Sequence, residues 1–308
     1  MKKRAILILF FIAIFCYAQN QHAIFQEYKQ EKYETIIIVG DTQKTSGWEF
    51  WRENNDSVRK LLFPAILEEK PSAIIILGDL IFRGSSKSHW KDFDLNTQCV
   101  RDNRITLYPL LGNHNYYGNN TKALKSYFQR FPYLNGQRWY DRKLSNAAFL
   151  FLDSNFSQLT QEEIFQQNLW YTKKLREYDN DPSIKHVFVC DHHPPFTNSQ
   201  VIASREEVKQ YFLPAFLSTP KAKVFFSGHC HAYEHFLYEN KHFVVSGGGG
   251  GPRHRLNTTS SSKYQDIFKG PVIRKFHYCK LILPTARLIM IAYDPEKKTW
   301  VQEDEWGL

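Results

Sequence analysis

Two histidines one residue apart, His229 and His231, follow a short apolar run and could bring two imidazoles into one site. In an extended segment, alternate side chains point to the same side of the chain. Imidazole nitrogens are among the commonest metal ligands in proteins. The pair therefore indicates a metal site, provided that other segments supply further ligands.

Four upstream segments end in polar side chains that could complete such a site. Asp41 and Asp79 each follow a glycine, Asn113 and His114 lie together, and His192 precedes a second histidine and two prolines. Taken singly, each is equally typical of a turn or a loop. Five such endings in succession favour one shared site. Carboxylate, amide and imidazole ligands suit Zn, Fe or Mn.

The segments before these endings are short, apolar and rich in β-branched or aromatic residues, which predicts β-strands. These strands are Thr35–Val39, Ala73–Leu77, Ile105–Leu111, Ala147–Leu152, His186–Cys190 and Val224–Phe226. Helical spacing predicts helices over Trp48–Lys70, Thr121–Arg130, Thr160 to about Tyr178, and Arg205–Leu217. Alternating strands and helices imply a largely parallel sheet, whose carboxyl edge gathers the polar endings.

Beyond Gly228 the pattern changes to short strands separated by turns. The predicted strands are His235–Glu239, His242–Ser246, Tyr278–Leu283, Arg287–Tyr293 and Thr299–Gln302. Their tight connections predict antiparallel pairing, as a second sheet or its edge.

The 308 residues are 43% hydrophobic, which is enough for one large domain and excludes a disordered or fibrous chain. Residues 1–18 are typical of a signal peptide, with basic residues before the apolar run Ala5–Phe15 and a cleavage site after about Ala18. We therefore expect a single domain over 19–308, secreted or periplasmic and without stable membrane insertion, although a retained anchor is the alternative. Removing Lys2, Lys3 and Arg4 lowers the net charge from +9 to +6.

The remaining positive charge suits an anionic substrate. It is dispersed, without the basic and aromatic stripe typical of nucleic-acid-binding proteins. Cys99, Cys190, Cys230 and Cys279 remain after cleavage, and an even count in an oxidising compartment permits disulfides whose pairing the sequence leaves open. The oligomeric state is also left open.

The order of the polar endings resembles the calcineurin-like metallophosphoesterase superfamily, whose pattern is Asp, Gly-Asp, Gly-Asn-His, a lone His and Gly-His-x-His. The match spans about Thr35 to Glu234, and the tail Ala232–Glu234 is closest to the purple acid phosphatase-like branch. The resemblance implies an α/β fold, a four-layer α/β/β/α sandwich of two packed mixed sheets flanked by helices.

The resemblance also implies a phosphoric ester hydrolase with two metal ions, Zn, Fe or Mn, and a metal-bound hydroxide as nucleophile. Asp79 would bridge the two ions, and His114 would lie near the leaving group. Asp41 and His231 would bind the first ion, and Asn113, His192 and His229 the second.

Two positions depart from the superfamily pattern. Gln43 stands where the first motif usually has histidine, and Phe82 stands where the purple branch has tyrosine. The first ion would therefore lack a fourth strong ligand, and the Gln43 amide oxygen is a candidate replacement. An acid phosphatase-like phosphomonoesterase is favoured. The alternatives are a phosphodiesterase or nucleotide pyrophosphatase, and a non-catalytic phosphate- or glycan-binding relative with a degraded first site.

Three other segments have weaker signals. The five glycines Gly247–Gly251 are typical of a flexible turn, the alternative being close approach of the backbone to the metals. Arg253–Arg255 and the predicted loop Arg83–Lys91 are candidate phosphate contacts, although such runs are usually solvated. His193 is expected to support the site rather than to bind metal.

Overall fold

The computed structural model describes residues 24–45 and 53–308, so the predicted signal peptide lies outside the described residues. Twelve strands are described: β1 Thr35–Val39, β2 Ala73–Ile76, β3 Thr106–Pro109, β4 Tyr140–Leu144, β5 Ala147–Phe151, β6 His186–Cys190, β7 Ala222–Ser227, β8 Tyr233–Tyr238, β9 Lys241–Ser246, β10 His277–Ile282, β11 Arg287–Asp294 and β12 Thr299–Gly307.

Eight α-helices are described in the same residues: α1 Asp56–Glu68, α2 Lys87–Asn96, α3 Gln98–Asp102, α4 Asn113–Tyr116, α5 Asn120–Arg130, α6 Gln161–Asn180, α7 Glu206–Tyr211 and α8 Leu213–Ser218. Helix α6 begins with the predicted capping box, in which Thr160 and Glu163 satisfy each other's backbone N–H groups. Within the described residues, no helix is both long and apolar enough to cross a membrane.

The strands form two six-stranded mixed sheets. The first has the order β12-β11-β10-β1-β2-β3, with β1, β2 and β3 parallel and the C-terminal hairpins antiparallel to them. The second has the order β4-β5-β6-β7-β9-β8, with parallel strands at its centre and antiparallel strands at both edges. The segment after Gly228 thus contributes strands to both sheets rather than forming a sheet of its own.

The sheets pack face to face, with helices on their outer faces. Alternate side chains of β5 show this layering, since Phe149 and Phe151 belong to the core between the sheets, whereas Ala148 and Leu150 belong to the core beneath α6. Both faces of β5 are therefore buried. The predicted four-layer α/β/β/α sandwich is confirmed.

Several predicted boundaries were wrong. The start of the helix predicted over Trp48–Lys70 lies outside the described residues, and α1 begins at Asp56 after three described residues that are not helical. The predicted loop Arg83–Lys91 runs into α2, which the side chain of Ser86 caps. The helix predicted over Arg205–Leu217 is two helices that meet at Phe212, because Pro214 opens a new first turn. Strand β4, with its polar middle residues Asp-Arg-Lys, has no apolar alternation that would have predicted it.

Candidate metal centre

The predicted polar endings meet at the carboxyl edges of the two packed sheets. Asp41 follows β1, Asp79 follows β2, His192 follows β6, and His229 and His231 follow β7. Acidic and imidazole ligand atoms of Asp41, Asp79 and His192 lie within 4.8 Å of one another. The site is therefore assembled from both sheets, and neither sheet alone holds the complete set.

Each carboxylate has one oxygen fixed by the backbone and one directed into the site. Asp41 Oδ2 accepts the His229 N–H at 2.8 Å, and Asp79 Oδ1 accepts the His114 N–H at 2.8 Å. The other oxygens lie near imidazole nitrogens, with Asp41 Oδ1 3.4 Å from His231 Nε2 and Asp79 Oδ2 3.3 Å from His192 Nε2. Asp41 Oδ1 is buried without a hydrogen-bond partner among the described residues.

Three imidazoles are held in the same way. His114, His192 and His231 each donate a hydrogen bond from Nδ1 to a main-chain oxygen, of Phe82 at 2.7 Å, Leu77 at 2.8 Å and Pro252 at 2.7 Å respectively. A carbonyl can only accept, so Nδ1 carries the proton and Nε2 is left to face the site. This arrangement fixes the tautomer that metal-ligating histidines need.

Asn113 and Gln43 bring amide groups to opposite ends of the cluster. Asn113 Oδ1 lies 3.0 Å from His192 Nε2, and its Nδ2 donates to the Tyr117 hydroxyl at 3.3 Å. The Gln43 nitrogen is satisfied when it donates to the main-chain oxygens of Asp41 at 3.0 Å and Asp79 at 2.9 Å. The Gln43 oxygen then faces His231 Nε2 at 3.2 Å. Both amides therefore direct an oxygen toward the site.

Three site residues have positive φ angles, namely Asp41 at 60°, Asp79 at 49° and His229 at 64°. Non-glycine residues adopt this region rarely and at an energetic cost. Such strain in three neighbouring residues is typical of a functional site.

The charges of the cluster perturb one another. Burial alone would lower the pKa of His192, but the adjacent carboxylate of Asp79 raises it to about 9. Burial raises the pKa of Asp41, and burial together with His192 holds the pKa of His229 well below its usual range. Without metal, His192 is therefore protonated. A bound cation would replace that proton and balance the charge of both carboxylates.

The glycine run approaches the site closely. A Cβ atom on Gly247 would lie 2.7 Å from Asp41 Oδ2, and one on Gly251 would lie 2.4 Å from His231 Cε1. The flexible-turn interpretation was wrong, because these glycines let the backbone pass directly against two site residues. Arg253 forms an ion pair with Glu53, and the His254 ring stacks on His231 at 4.3 Å.

The remaining candidates lie around this cluster. The Phe82 ring packs on His114 at 4.9 Å, and Phe82 carries no phenolate. His193 is buried, and its ring lies 4.5 Å from that of His229. All four cysteines outside the predicted signal peptide are free thiols. His193 and Arg205 line one cavity, which the sequence did not predict. The only sequence signal for this cavity was the pair of histidines before two prolines.

The donor set fits a pair of cations. Carboxylate, amide and imidazole groups direct lone pairs into the site, and Asp41 Oδ1 has no hydrogen-bond donor opposite it among the described residues. Carboxylate and amide oxygens together with imidazole nitrogens are a ligand set that suits Zn, Fe or Mn. One end offers Asp41, the Gln43 oxygen and one imidazole, His231. The other end offers the Asn113 oxygen with His192 and His229, and Asp79 lies between the two. Two cations bound here would be able to hold an anionic group between them.

Comparison with known proteins agrees with this geometry. A family model described as calcineurin-like phosphoesterase matches residues 34–233. No curated protein sequence matches the chain. Among solved structures, purple acid phosphatase PPD1 from yellow lupin (Lupinus luteus) seeds has a TM-score of 0.64 at 16% identity, over 90% of this chain and 54% of the lupin chain. The chain thus spans about half the length of that phosphatase.

Two further structures are similar. GAP50, described as the anchor in the inner membrane complex of Plasmodium, has a TM-score of 0.64 at 16% identity, over 90% of this chain and 89% of its own. A dimetal phosphatase from Danio rerio has a TM-score of 0.56 at 16% identity, over 84% of this chain and 96% of its own. At these identities the likeness shows the fold alone.

Proposed function

Because the chain belongs to the calcineurin-like phosphoesterase family, we propose that it hydrolyses phosphoric esters at a dinuclear metal centre, with phosphomonoesters favoured. The observation that carries this proposal is the shared orientation of His114, His192 and His231. Each ring is fixed through Nδ1 and presents Nε2 to one buried site. A merely structural histidine has no reason to keep a ring nitrogen facing a buried carboxylate, as all three do.

The ligand assignment follows from which lone pairs converge. Asp41, Gln43 and His231 would hold the first ion, and Asn113, His192 and His229 the second. Asp79 lies between the two sets, since its Oδ2 is 3.3 Å from His192 Nε2 and 3.5 Å from the Gln43 amide. It would serve both ions. When bound, the two ions supply Lewis acidity and a nucleophile derived from water.

His114 is the candidate for assisting the leaving group. Its Nδ1–H is committed to the Phe82 oxygen, and its Nε2 lies 3.9 Å from Asp79 Oδ2, at the rim of the cluster. From there a protonated His114 can donate from Nε2 to a departing alkoxide. The rings of Phe82 and Tyr117 pack on it at 4.9 and 4.4 Å and restrict its orientation.

We further propose that residues 1–18 are a signal peptide, that the mature protein is exported, and that 19–308 form one domain. The basic and apolar pattern of the first residues supports this. N-terminal sequencing of the secreted or periplasmic protein tests it, and an intact Met1 would overturn it.

The test of activity is a substrate panel on protein loaded in turn with Zn, Fe or Mn. We expect turnover of an aryl phosphate, slower turnover of an aryl phosphodiester, and loss of both on chelation. Tight binding of metal without turnover of any monoester, diester or pyrophosphate would favour the non-catalytic alternative.

A further inference from the structure

A polar cavity of about 480 Å³ opens beside the second set of ligands. Two of those ligands, Asn113 and His229, form part of its wall, and Tyr117 joins it to the face that carries His114. The cavity is within the size range of small-molecule sites. A phosphoryl group held between the two ligand sets would therefore direct its ester substituent into this space.

The lining is rich in hydrogen-bonding groups and has no negative charge. None of the described residues that line the cavity has a carboxylate, and one cationic side chain, Arg205, is among them. Amide and hydroxyl side chains such as Asn120, Asn155, Ser157 and Gln158 form much of the rest of the wall. Such a wall favours a polar or anionic occupant over an apolar one.

His193 presents a donor to this cavity, because Ser154 fixes its tautomer. Ser154 Oγ accepts the backbone N–H groups of His192 at 3.2 Å and His193 at 3.0 Å. Its two lone pairs are then used, so its hydroxyl hydrogen donates to His193 Nδ1 at 2.9 Å. The neutral ring must carry its own proton on Nε2. In this tautomer His193 is a hydrogen-bond donor beside the second ion, although its ring also lies with His192 and His229 in a group whose possible ligand atoms are within 4.8 Å of one another.

Arg205 supplies the charge. Its Nε lies 3.0 Å from Glu207 Oε2, whereas neither terminal nitrogen donates a hydrogen bond to any described residue. The side chain is 34% exposed, so it reaches the cavity wall without being locked in the core. A guanidinium with two uncommitted terminal nitrogens is suited to bidentate binding of a carboxylate or phosphate.

We propose that this cavity is the leaving-group subsite, and that it selects phosphate esters whose leaving group carries a second anionic group, held by Arg205 and by the Nε2–H of His193. The proposal rests on the proposed phosphoesterase function. It extends that function by naming a substrate class and two specificity-determining residues.

The test compares two substrates that differ in one group. Glycerate 3-phosphate has a carboxylate where glycerol 3-phosphate has a hydroxymethyl group. For the metal-loaded parent we expect a higher kcat/KM on glycerate 3-phosphate. In Arg205→Gln, and in His193→Phe, that preference should fall about 10-fold or more, as for loss of a charge-assisted hydrogen bond. Arg176→Gln, which removes an exposed arginine of α6 outside this cavity, should leave it unchanged.

Binding of unreactive glycerate to the metal-loaded protein gives a second readout. Calorimetry should show weaker glycerate binding in Arg205→Gln than in the parent and in Arg176→Gln. An equal fall in kcat/KM on both substrates in Arg205→Gln, or a parent without preference, would overturn the subsite. If no ester is turned over but glycerate binding depends on Arg205, the subsite stands and the proposed hydrolysis fails.

Discussion

The side-chain oxygen of Gln43 faces Nε2 of His231 at 3.2 Å, while the Gln43 nitrogen donates to two main-chain oxygens behind it. Because His231 donates its Nδ1–H to Pro252, its Nε2 is also an acceptor in the neutral ring. In that tautomer the two atoms are both acceptors, and a cation between them would satisfy both. We propose that the Gln43 oxygen takes the place of the histidine that this position usually has, so that the first site is altered in ligand type rather than lost.

A neutral amide oxygen is a weaker ligand for Zn or Fe than imidazole. We therefore expect the first ion to bind more weakly than the second, and Gln43→His to tighten the first by about 10–100-fold, the range seen for groups that support a metal. Titration calorimetry of the metal-free parent and variant measures both sites. Equal affinities in the parent, unchanged by the substitution, would show that another residue completes the first site.

Gly251→Ala should weaken the first ion selectively. The added Cβ would lie 2.4 Å from the His231 ring, which must move away from Asp41. We expect at least a 10-fold loss of first-ion affinity with the second ion little changed. Gly307→Ala is the matched control, since nothing lies within 4 Å of its added Cβ. Unaltered binding in Gly251→Ala would mean that the ring tolerates displacement.

Metal binding should release a proton from His192. Its pKa is raised to about 9, mainly by Asp79 against the opposing effect of burial, so at pH 7 the metal-free ring is charged and must lose a proton to become a ligand. Second-ion affinity should rise about tenfold per pH unit up to pH 9 and then level off. Calorimetry in buffers of different ionisation enthalpy counts the protons. In His192→Gln the slope should flatten, whereas in His186→Asn it should persist.

Asp79→Asn should abolish hydrolysis and lower the content of both ions. The substitution removes the charge that lies between the two ligand sets and keeps the size of the side chain. Elemental analysis and turnover of an aryl phosphate check this, with the exposed Asp102→Asn as control. Two retained ions and near-parental turnover would contradict the shared role of Asp79.

His114→Asn should lower kcat by about 10²–10⁴-fold without loss of metal, the range typical of general acid catalysis. The loss should be larger for alkyl phosphates than for nitrophenyl phosphates, because a poor leaving group depends more on protonation. His89→Asn is the control, since His89 also packs against Phe82, at 5.8 Å. A loss independent of the leaving group would assign His114 to positioning only.

The sequence by itself determined the candidate ligands, their order along the chain and most of the strands that carry them. Buried strands such as β1 and β6 are short apolar runs, and each ends at the ligand that the pattern indicated. These signals are local, because side-chain type and strand periodicity lie within a few residues of each other. The same locality explains why β4, with polar middle residues, was not predicted.

Tertiary structure alone decided how those ligands are oriented. The carbonyl that holds His192 belongs to Leu77, 115 residues away, and the N–H that holds Asp41 belongs to His229, 188 residues away. The left-handed φ of Asp79 and the close passage of Gly251 depend on the same packing. Hydrogen-bond direction is a property of two groups in space, so a one-dimensional pattern names the ligands but cannot assign which nitrogen or oxygen each one offers.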